Sequence, residues 1–335
     1  MRVDLWDNEE YSYRAAYGFM PNIRSYIHDD DIMRNCILVV PGGGYCMVVS
    51  PEAEIVAKRF YDEGFNCFVL TYTTDITTSI PLKKQPMKDI SRAIKHIRKN
   101  SEKYKIFSNR IFLCGFSAGA HLCGTICTHF NELEEKNEQY KNVSDRPDGA
   151  ILSYPVITTG EKTHKSSVYA LLGNNPSSEE LEYFSVDKNV KIDTPPCFLW
   201  HTVEDDLVPV ENSYFMAMAL KNKNIPYAHY VFPNGNHGLS IASEEFFKGE
   251  FGEEYTFEQL ERVIENLKNN TLIDVSEARV KELKEQFFVN NDQSKNEKEK
   301  NSQEKRLEIE KALDMYADVS SWPSLAIKWI NKINN

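Results

Sequence analysis

An α/β architecture, with a mostly parallel central sheet covered by helices on both faces, is what this 335-residue sequence predicts. Three observations predict it. Short apolar runs alternate with segments of helical periodicity, the pattern of parallel strands joined by crossover helices. One run, residues 111–114, leads into Gly115-Phe116-Ser117-Ala118-Gly119. Another, residues 36–40, ends in Pro41-Gly42-Gly43-Gly44-Tyr45. Both glycine-rich turns fall at the end of a strand, where open parallel sheets bind ligands.

Taken in order, strands are expected at residues 23–28, 36–40, 67–72, 111–114, 150–154, 198–201 and 228–232. Each is a short segment rich in β-branched, aromatic or other apolar residues, too short for a stable helix. Helical spacing fills residues 52–61, 87–99, 118–128 and 212–221. Past residue 245 the pattern changes. Thr256-Phe257-Glu258-Gln259 reads as a capping box ahead of Leu260, Val263, Ile264 and Leu267 at helical spacing. Val280, Leu283, Phe287 and Phe288 suggest a second helix. From Asp292 to Lys311 acids and bases are equal in number, a solvated stretch leading into a helix at residues 306–316. The expected organisation is a core at 1–245, a charged helical insertion at 246–316 and a closing core helix within 317–335. The insertion follows His237 closely, which leaves three roles open: a lid, a dimer arm in a homo-oligomer, or a peripheral decoration.

Ser117 is the first candidate for chemistry. A nucleophilic serine on a sharp strand-to-helix turn needs neighbours without side chains two positions to either side, because the incoming strand and outgoing helix nearly touch. Gly115 and Gly119 stand there. The same spacing also arises by chance in ordinary loops, but the apolar strand before it and the Pro-free segment 118–128 after it supply the right context. A serine hydroxyl needs a base and a carboxylate to orient that base. Of eight histidines, only His237 sits in a loop of turn formers, Pro233-Asn234-Gly235-Asn236-His237-Gly238, beyond a strand. His121 lies on the helix behind the serine and is expected to be packed, and His201 to border the site. His28, His96, His129, His164 and His229 are expected in structural roles. In the loop Glu204-Asp205-Asp206-Leu207-Val208-Pro209, the apolar anchor of Val208 and Pro209 favours Asp205 as the inward acid. Glu204 and Asp206 are then its solvated neighbours.

Acyl transfer also needs preorganised donors for an oxyanion. The amides of Gly43, Gly44 and Ala118 are the expected set. A phosphate-binding role for the glycine run is disfavoured, since no Lys-Ser or Lys-Thr follows and no dinucleotide spacing fits. The order Ser117, Asp205, His237 is the one used by the α/β-hydrolase fold.

The four segments 41–45, 115–122, Asp205-x-x-Val-Pro and Gly235-Asn236-His237-Gly238-Leu239-Ser240 resemble the bacterial acetyl esterase and acetylxylan esterase branch of the α/β-hydrolases, related to the hormone-sensitive-lipase-like esterases. The resemblance covers about residues 12–245, and residues 322–333 resemble that family's last helix. Pro41 stands where lipases and many esterases carry His, a variant also found in this branch. The resemblance implies an α/β-hydrolase fold, with Ser117 as nucleophile, Asp205 as acid and His237 as base. It implies acetyl or other short acyl esters as substrates, often on sugars. Tyr45, Tyr154, Pro155 and Leu239 are expected walls of the acyl and alcohol pockets, or simply core. The insertion departs from the family, where the base loop runs almost directly into the last helix.

Two other readings remain. A peptidase of the prolyl-oligopeptidase type usually carries an additional large N-terminal domain, for which no room is expected here. A catalytically silent binding module usually lacks one of the three residues, and none is missing. The formal charge of −11 disfavours nucleic acid and anionic membranes as partners. The start of the sequence has no apolar signal core, so a soluble, cytoplasmic protein is expected. Seven cysteines, with no Cys-x-x-Cys pair, read as reduced core thiols, Cys46 being the most open to oxidation. The proposed chemistry requires no cofactor and no metal.

Overall fold

A computed structural model describes residues 1–289 and 302–333. Its eight-stranded sheet has the order β1-β2-β4-β3-β5-β6-β7-β8. The strands are β1 (Arg2–Asp4), β2 (Asn22–Tyr26), β3 (Arg34–Val40), β4 (Asn66–Thr71), β5 (Ile106–Phe116), β6 (Gly149–Ser153), β7 (Cys197–Thr202) and β8 (Tyr227–Phe232). From β4 to β8 all neighbours are parallel, while β1 and β2 add an antiparallel edge. Seven strands fall where the apolar runs place them. β1 has none of that signal, because it is short and mostly exposed.

Alternation along the strands feeds two cores. Leu38, Val40 and Leu113 face one side, against α2 (Gln85–Lys99), α3 (Ala118–His129) and α6 (Glu211–Asn222). Ile37, Val39, Phe112 and Cys114 face the other, against α1 (Glu54–Tyr61) and α11 (Trp322–Ile333). Every residue of α3 is buried, as expected for a helix that is apolar on all sides. Two further helices, α4 (Lys165–Leu172) and α5 (Ser178–Tyr183), connect β6 to β7 and were not anticipated. All seven cysteines are unpaired and six are buried. Burial pushes the Cys46 thiol up to about 11, which makes it a poor nucleophile at neutral pH.

Beyond β8 come α7 (Glu244–Lys248), α8 (Glu258–Asn269), α9 (Glu277–Lys284) and α10 (Ser302–Met315). α10 begins four residues before its expected start, and the first part of the charged stretch, up to residue 301, lies outside the described residues. The expected capping box does not form. A 3-10 turn (Tyr255–Phe257) precedes α8, whose N-cap position is Phe257 with no side-chain cap. Gln259 instead turns to the core. Its Oε1 accepts the Thr74 amide at 2.9 Å and its Nε2 donates to the Thr74 carbonyl. Two buried backbone groups after β4 are thereby satisfied, a stronger demand than capping a helix end open to water.

The last helix also orders a loop far from it in sequence. Trp322 stacks on Trp200 with ring centroids 5.4 Å apart, and its Nε1 donates to the Ser240 carbonyl at 2.8 Å. Trp200 in turn donates to Ser153 Oγ at 2.7 Å. Trp322→Ala is expected to cost about 3–5 kcal/mol of stability, the usual range for deleting a buried aromatic side chain. Denaturant unfolding checks this, and a loss below about 1 kcal/mol would contradict the role given to the tryptophan pair.

Candidate active site

β5 ends at Phe116, and the chain reverses at Ser117 into α3. Ser117 has φ 51° and ψ −118°, a conformation costly for any residue with a side chain and sustained only by surrounding constraint. The constraint is steric. A Cβ on Gly119 would lie 2.1 Å from the Val40 carbonyl oxygen, and one on Gly115 would lie 2.6 Å from Cys123 Sγ. The glycine run after β3 closes against the same turn, since a Cβ on Gly42 would meet Ser117 Cβ at 2.9 Å.

The three residues singled out by sequence converge. His237 Nε2 lies 2.8 Å from Ser117 Oγ, and His237 Nδ1 donates to Asp205 Oδ2 at 2.7 Å. The Asp205 carboxylate fixes the tautomer: it holds the proton on Nδ1, which leaves Nε2 to accept from the serine hydroxyl. The Asp205 side chain is wholly shielded. Burial pushes its carboxyl up, but hydrogen bonds from His201, His237 and the Val208 amide outweigh that and hold it well below the usual carboxylate range. Asp206 is exposed, as expected, yet its Oδ1 accepts the His237 amide at 3.1 Å and so steadies the base loop. Glu204 is exposed.

The Gly42 amide is occupied by Glu52 Oε2 at 2.6 Å and the Ser117 amide by the Ser153 carbonyl at 3.0 Å. The Gly43 carbonyl accepts from Cys46 and Met47, which folds the run into a tight turn. Gly43 and Gly44 both have positive φ, at 119° and 64°. Ala118 is the first residue of α3, where an amide has no acceptor within its helix. These three amides are the ones sequence reasoning named.

The four expected pocket walls are all interior. Tyr45 is a correction: its ring is buried and its hydroxyl donates to His121 Nδ1 at 2.7 Å, so it packs the core. The same contact, with His121 Nε2 donating to the Phe184 carbonyl at 2.8 Å, gives His121 its packed role. Burial lowers the His121 pKa to about 4. Tyr154 is buried with its ring edge-on to His237, centroids 4.8 Å apart, and its hydroxyl donates to Glu52 Oε1 at 2.6 Å. It braces the His237 ring and is a second correction. Pro155 and Leu239 are also buried.

Three residues were not expected at the site. Glu52 is fully buried and joins the glycine run to Tyr154, and burial pushes its carboxyl up. In sequence it is only one of two acids at a helix start, with nothing to mark it as inward. His164 and Ser167 face Gly44, at 3.9 Å and 3.8 Å from where its Cβ would be. His201 was expected at the border of the site and goes further: its Nε2 lies 3.1 Å from Asp205 Oδ2 and 3.0 Å from the Val208 carbonyl. Since both partners are acceptors, Nε2 carries the proton, and Nδ1 is left buried without a partner. Asp205 is thus held by two imidazoles. Among the described residues no group of three or more His, Cys, Asp or Glu side chains is arranged to hold a metal ion, and no helix is long and apolar enough to cross a membrane.

The chain resembles known proteins over most of this framework. Residues 27–220 match the BD-FAE family model, a span that includes the glycine run, Ser117 and Asp205. An acetyl ester-xyloside bifunctional hydrolase from Caldicellulosiruptor lactoaceticus overlays with a TM-score of 0.69 at 36% identity, covering 82% of this chain and 97% of that one. Endo-1,4-beta-xylanase B of Butyrivibrio fibrisolvens is 57% identical over 261 residues, 78% of this chain and 41% of that protein. An acetylxylan esterase of Xylanibacter ruminicola is 27% identical over 62% of this chain and 41% of that protein. The chain therefore spans about two fifths of the length of these two curated relatives. With a family match through both strand-end turns and an overlay across nearly all of a solved enzyme, the chain belongs to the BD-FAE family of α/β-hydrolases.

Proposed function

We propose that the chain is a serine carboxylic ester hydrolase that removes acetyl or other short acyl groups from carbohydrate esters of the xylo-oligosaccharide kind. The observation that carries this reading is the hydrogen-bonded series Ser117 Oγ, His237 Nε2, His237 Nδ1, Asp205 Oδ2, at 2.8 Å and 2.7 Å. Such a series has the parts needed for nucleophilic acyl transfer. The names of two relatives, an acetyl ester-xyloside hydrolase and an acetylxylan esterase, support the substrate class. A third relative is called a xylanase, and two fifths of it corresponds to this chain, the same share as of the acetylxylan esterase. Glycoside hydrolysis ordinarily uses a pair of carboxylates flanking the bond, whereas the two carboxylates here, Asp205 and Glu52, are buried and taken by protein donors.

In the proposed cycle His237 Nε2 takes the proton of Ser117 as Oγ bonds to the ester carbonyl carbon. The carbonyl oxygen becomes an oxyanion held by the amides of Gly43, Gly44 and Ala118. Collapse breaks the bond to the alcohol, which leaves with the proton from His237. Water then attacks the acyl-serine, His237 again taking and returning a proton, and the acid departs. Asp205 stays ionised throughout and stabilises the imidazolium. His201 acts as a positioning residue by donating to Asp205 Oδ2, the same oxygen that accepts from His237 Nδ1.

Ser117→Ala is expected to lower turnover of 4-nitrophenyl acetate by about a thousandfold or more with the fold intact. A wild-type protein without turnover on any short ester would overturn the reading. His201→Phe is expected to lower kcat about tenfold with KM nearly unchanged, because it loosens the carboxylate without touching substrate; a change confined to KM would contradict this. The depressed pKa of Asp205 carries a sign. Its stabilisation is fully present above the unfolded carboxylate value near 4 and is lost as pH falls toward the lower folded value. The stability difference between wild type and Asp205→Asn should therefore shrink from about pH 5 to pH 3 in denaturant titrations. A difference independent of pH would contradict the assignment.

A further inference from the structure

The segment beyond His237 is fastened beside the glycine run. Ile76, Val263, Leu267 and Leu283 form an apolar cluster of their own, with Met47 and Val280 packed on it. Polar ties add to it: Gln259 holds Thr74, and Arg279 Nη2 donates to the Ile76 carbonyl at 2.7 Å. The loop after β4 is itself stiff. Buried Asp75 accepts from the Thr77 amide at 2.8 Å, the Ser79 amide at 3.1 Å and the Tyr13 hydroxyl at 3.4 Å.

Between this loop, α4 and α9 runs an open cleft of about 660 Å³, within the range of small-molecule sites. It lies next to the glycine run: Cys46, which lines it, follows Gly44 by two residues. Lys165 and Ser166 line it as well, and their chain neighbours His164 and Ser167 are the side chains that face Gly44. Its far wall belongs to the insertion, through Asp274, Arg279 and Glu282. The lining is hydroxyl, amide and ionic, with one large ring, Tyr169, that is 38% exposed. Its lining carries two cations, Lys165 and Arg279, and two carboxylates, Asp274 and Glu282; Arg279 Nη1 already pairs with Glu282 Oε2 at 2.9 Å, and Asp274 Oδ2 with Arg14 Nη2 at 3.0 Å.

We propose that this cleft receives the alcohol part of the ester as a neutral glycan, and that the insertion supplies its far wall. The inference rests on the ester-hydrolase reading above. A balanced charge gives an anionic ligand no net attraction, whereas a polyol can exchange hydrogen bonds with both the carboxylates and the cations. A sugar face suits an exposed aromatic ring. The packing of Val263, Leu267, Val280 and Leu283 supports a cleft wall, a role distinct from the lid, dimer arm and decoration left open by the sequence.

The test compares acetylated xylotriose with 4-nitrophenyl acetate, an ester too small to reach the insertion. The wild-type chain is measured with Tyr169→Ala, Tyr169→Phe and Glu282→Gln, both positions being exposed. The ratio of kcat/KM for the sugar ester to that for the aryl ester is expected to fall at least tenfold in Tyr169→Ala and severalfold in Glu282→Gln, and to be retained in Tyr169→Phe. Wild type and variants that cleave both esters with ratios within twofold of one another would overturn the cleft assignment and leave the ester-hydrolase reading standing. A wild type that cleaves neither ester would overturn both.

Discussion

Everything at this site depends on how closely two strand ends approach each other. The carbonyls of Val40 and Pro41 lie where a side chain on Gly119 would be, and Gly42 has no room for a Cβ beside Ser117. This proximity holds Ser117 in its strained conformation at the rim of the sheet and brings the Gly43 and Gly44 segment against it. The parallel register of β3 and β5, with Val40 opposite Gly115, sets the approach. The register in turn is fixed by alternating residues that must face two separate cores, since a slip of one residue would turn each strand inside out.

A second layer holds the base. His237 sits in a loop of turn formers, which alone would leave it mobile. Tyr154 supports its ring, Asp205 its Nδ1 and Asp206 its amide, and Trp322 anchors the loop three residues on at Ser240. Glu52 connects this layer to the glycine run through Tyr154 and Gly42. A buried carboxylate is costly without donors, and here two short hydrogen bonds compensate it while linking the two halves of the site.

Much of this was legible in the sequence, for identifiable reasons. Seven strands announce themselves as short apolar runs. Ser117, Asp205 and His237 stand out because a nucleophile elbow and a turn-rich base loop have local signatures. What escaped depends on tertiary partners. Nothing around Glu52 distinguishes an inward acid from a solvated helix start, and His201, expected only at the border of the site, gives no sign in sequence that it holds Asp205. Tyr45 and Tyr154 follow site motifs and so looked like pocket walls, but burial and hydroxyl partners make one a core residue and the other a brace. The capping pattern at Thr256 failed because Gln259 had a buried backbone to satisfy, a demand visible only once Thr74 lies opposite.

The central claim is that Ser117 is activated by the imidazole of His237, itself oriented by Asp205. The most direct measurement is intact-protein and peptide mass spectrometry after brief treatment with diethyl 4-nitrophenyl phosphate, which phosphorylates activated serines. The account predicts a single diethylphosphoryl adduct on Ser117 in the native protein, abolished by His237→Ala and greatly slowed by Asp205→Asn. Absence of labelling at Ser117, or equal labelling in the His237→Ala protein, would contradict it.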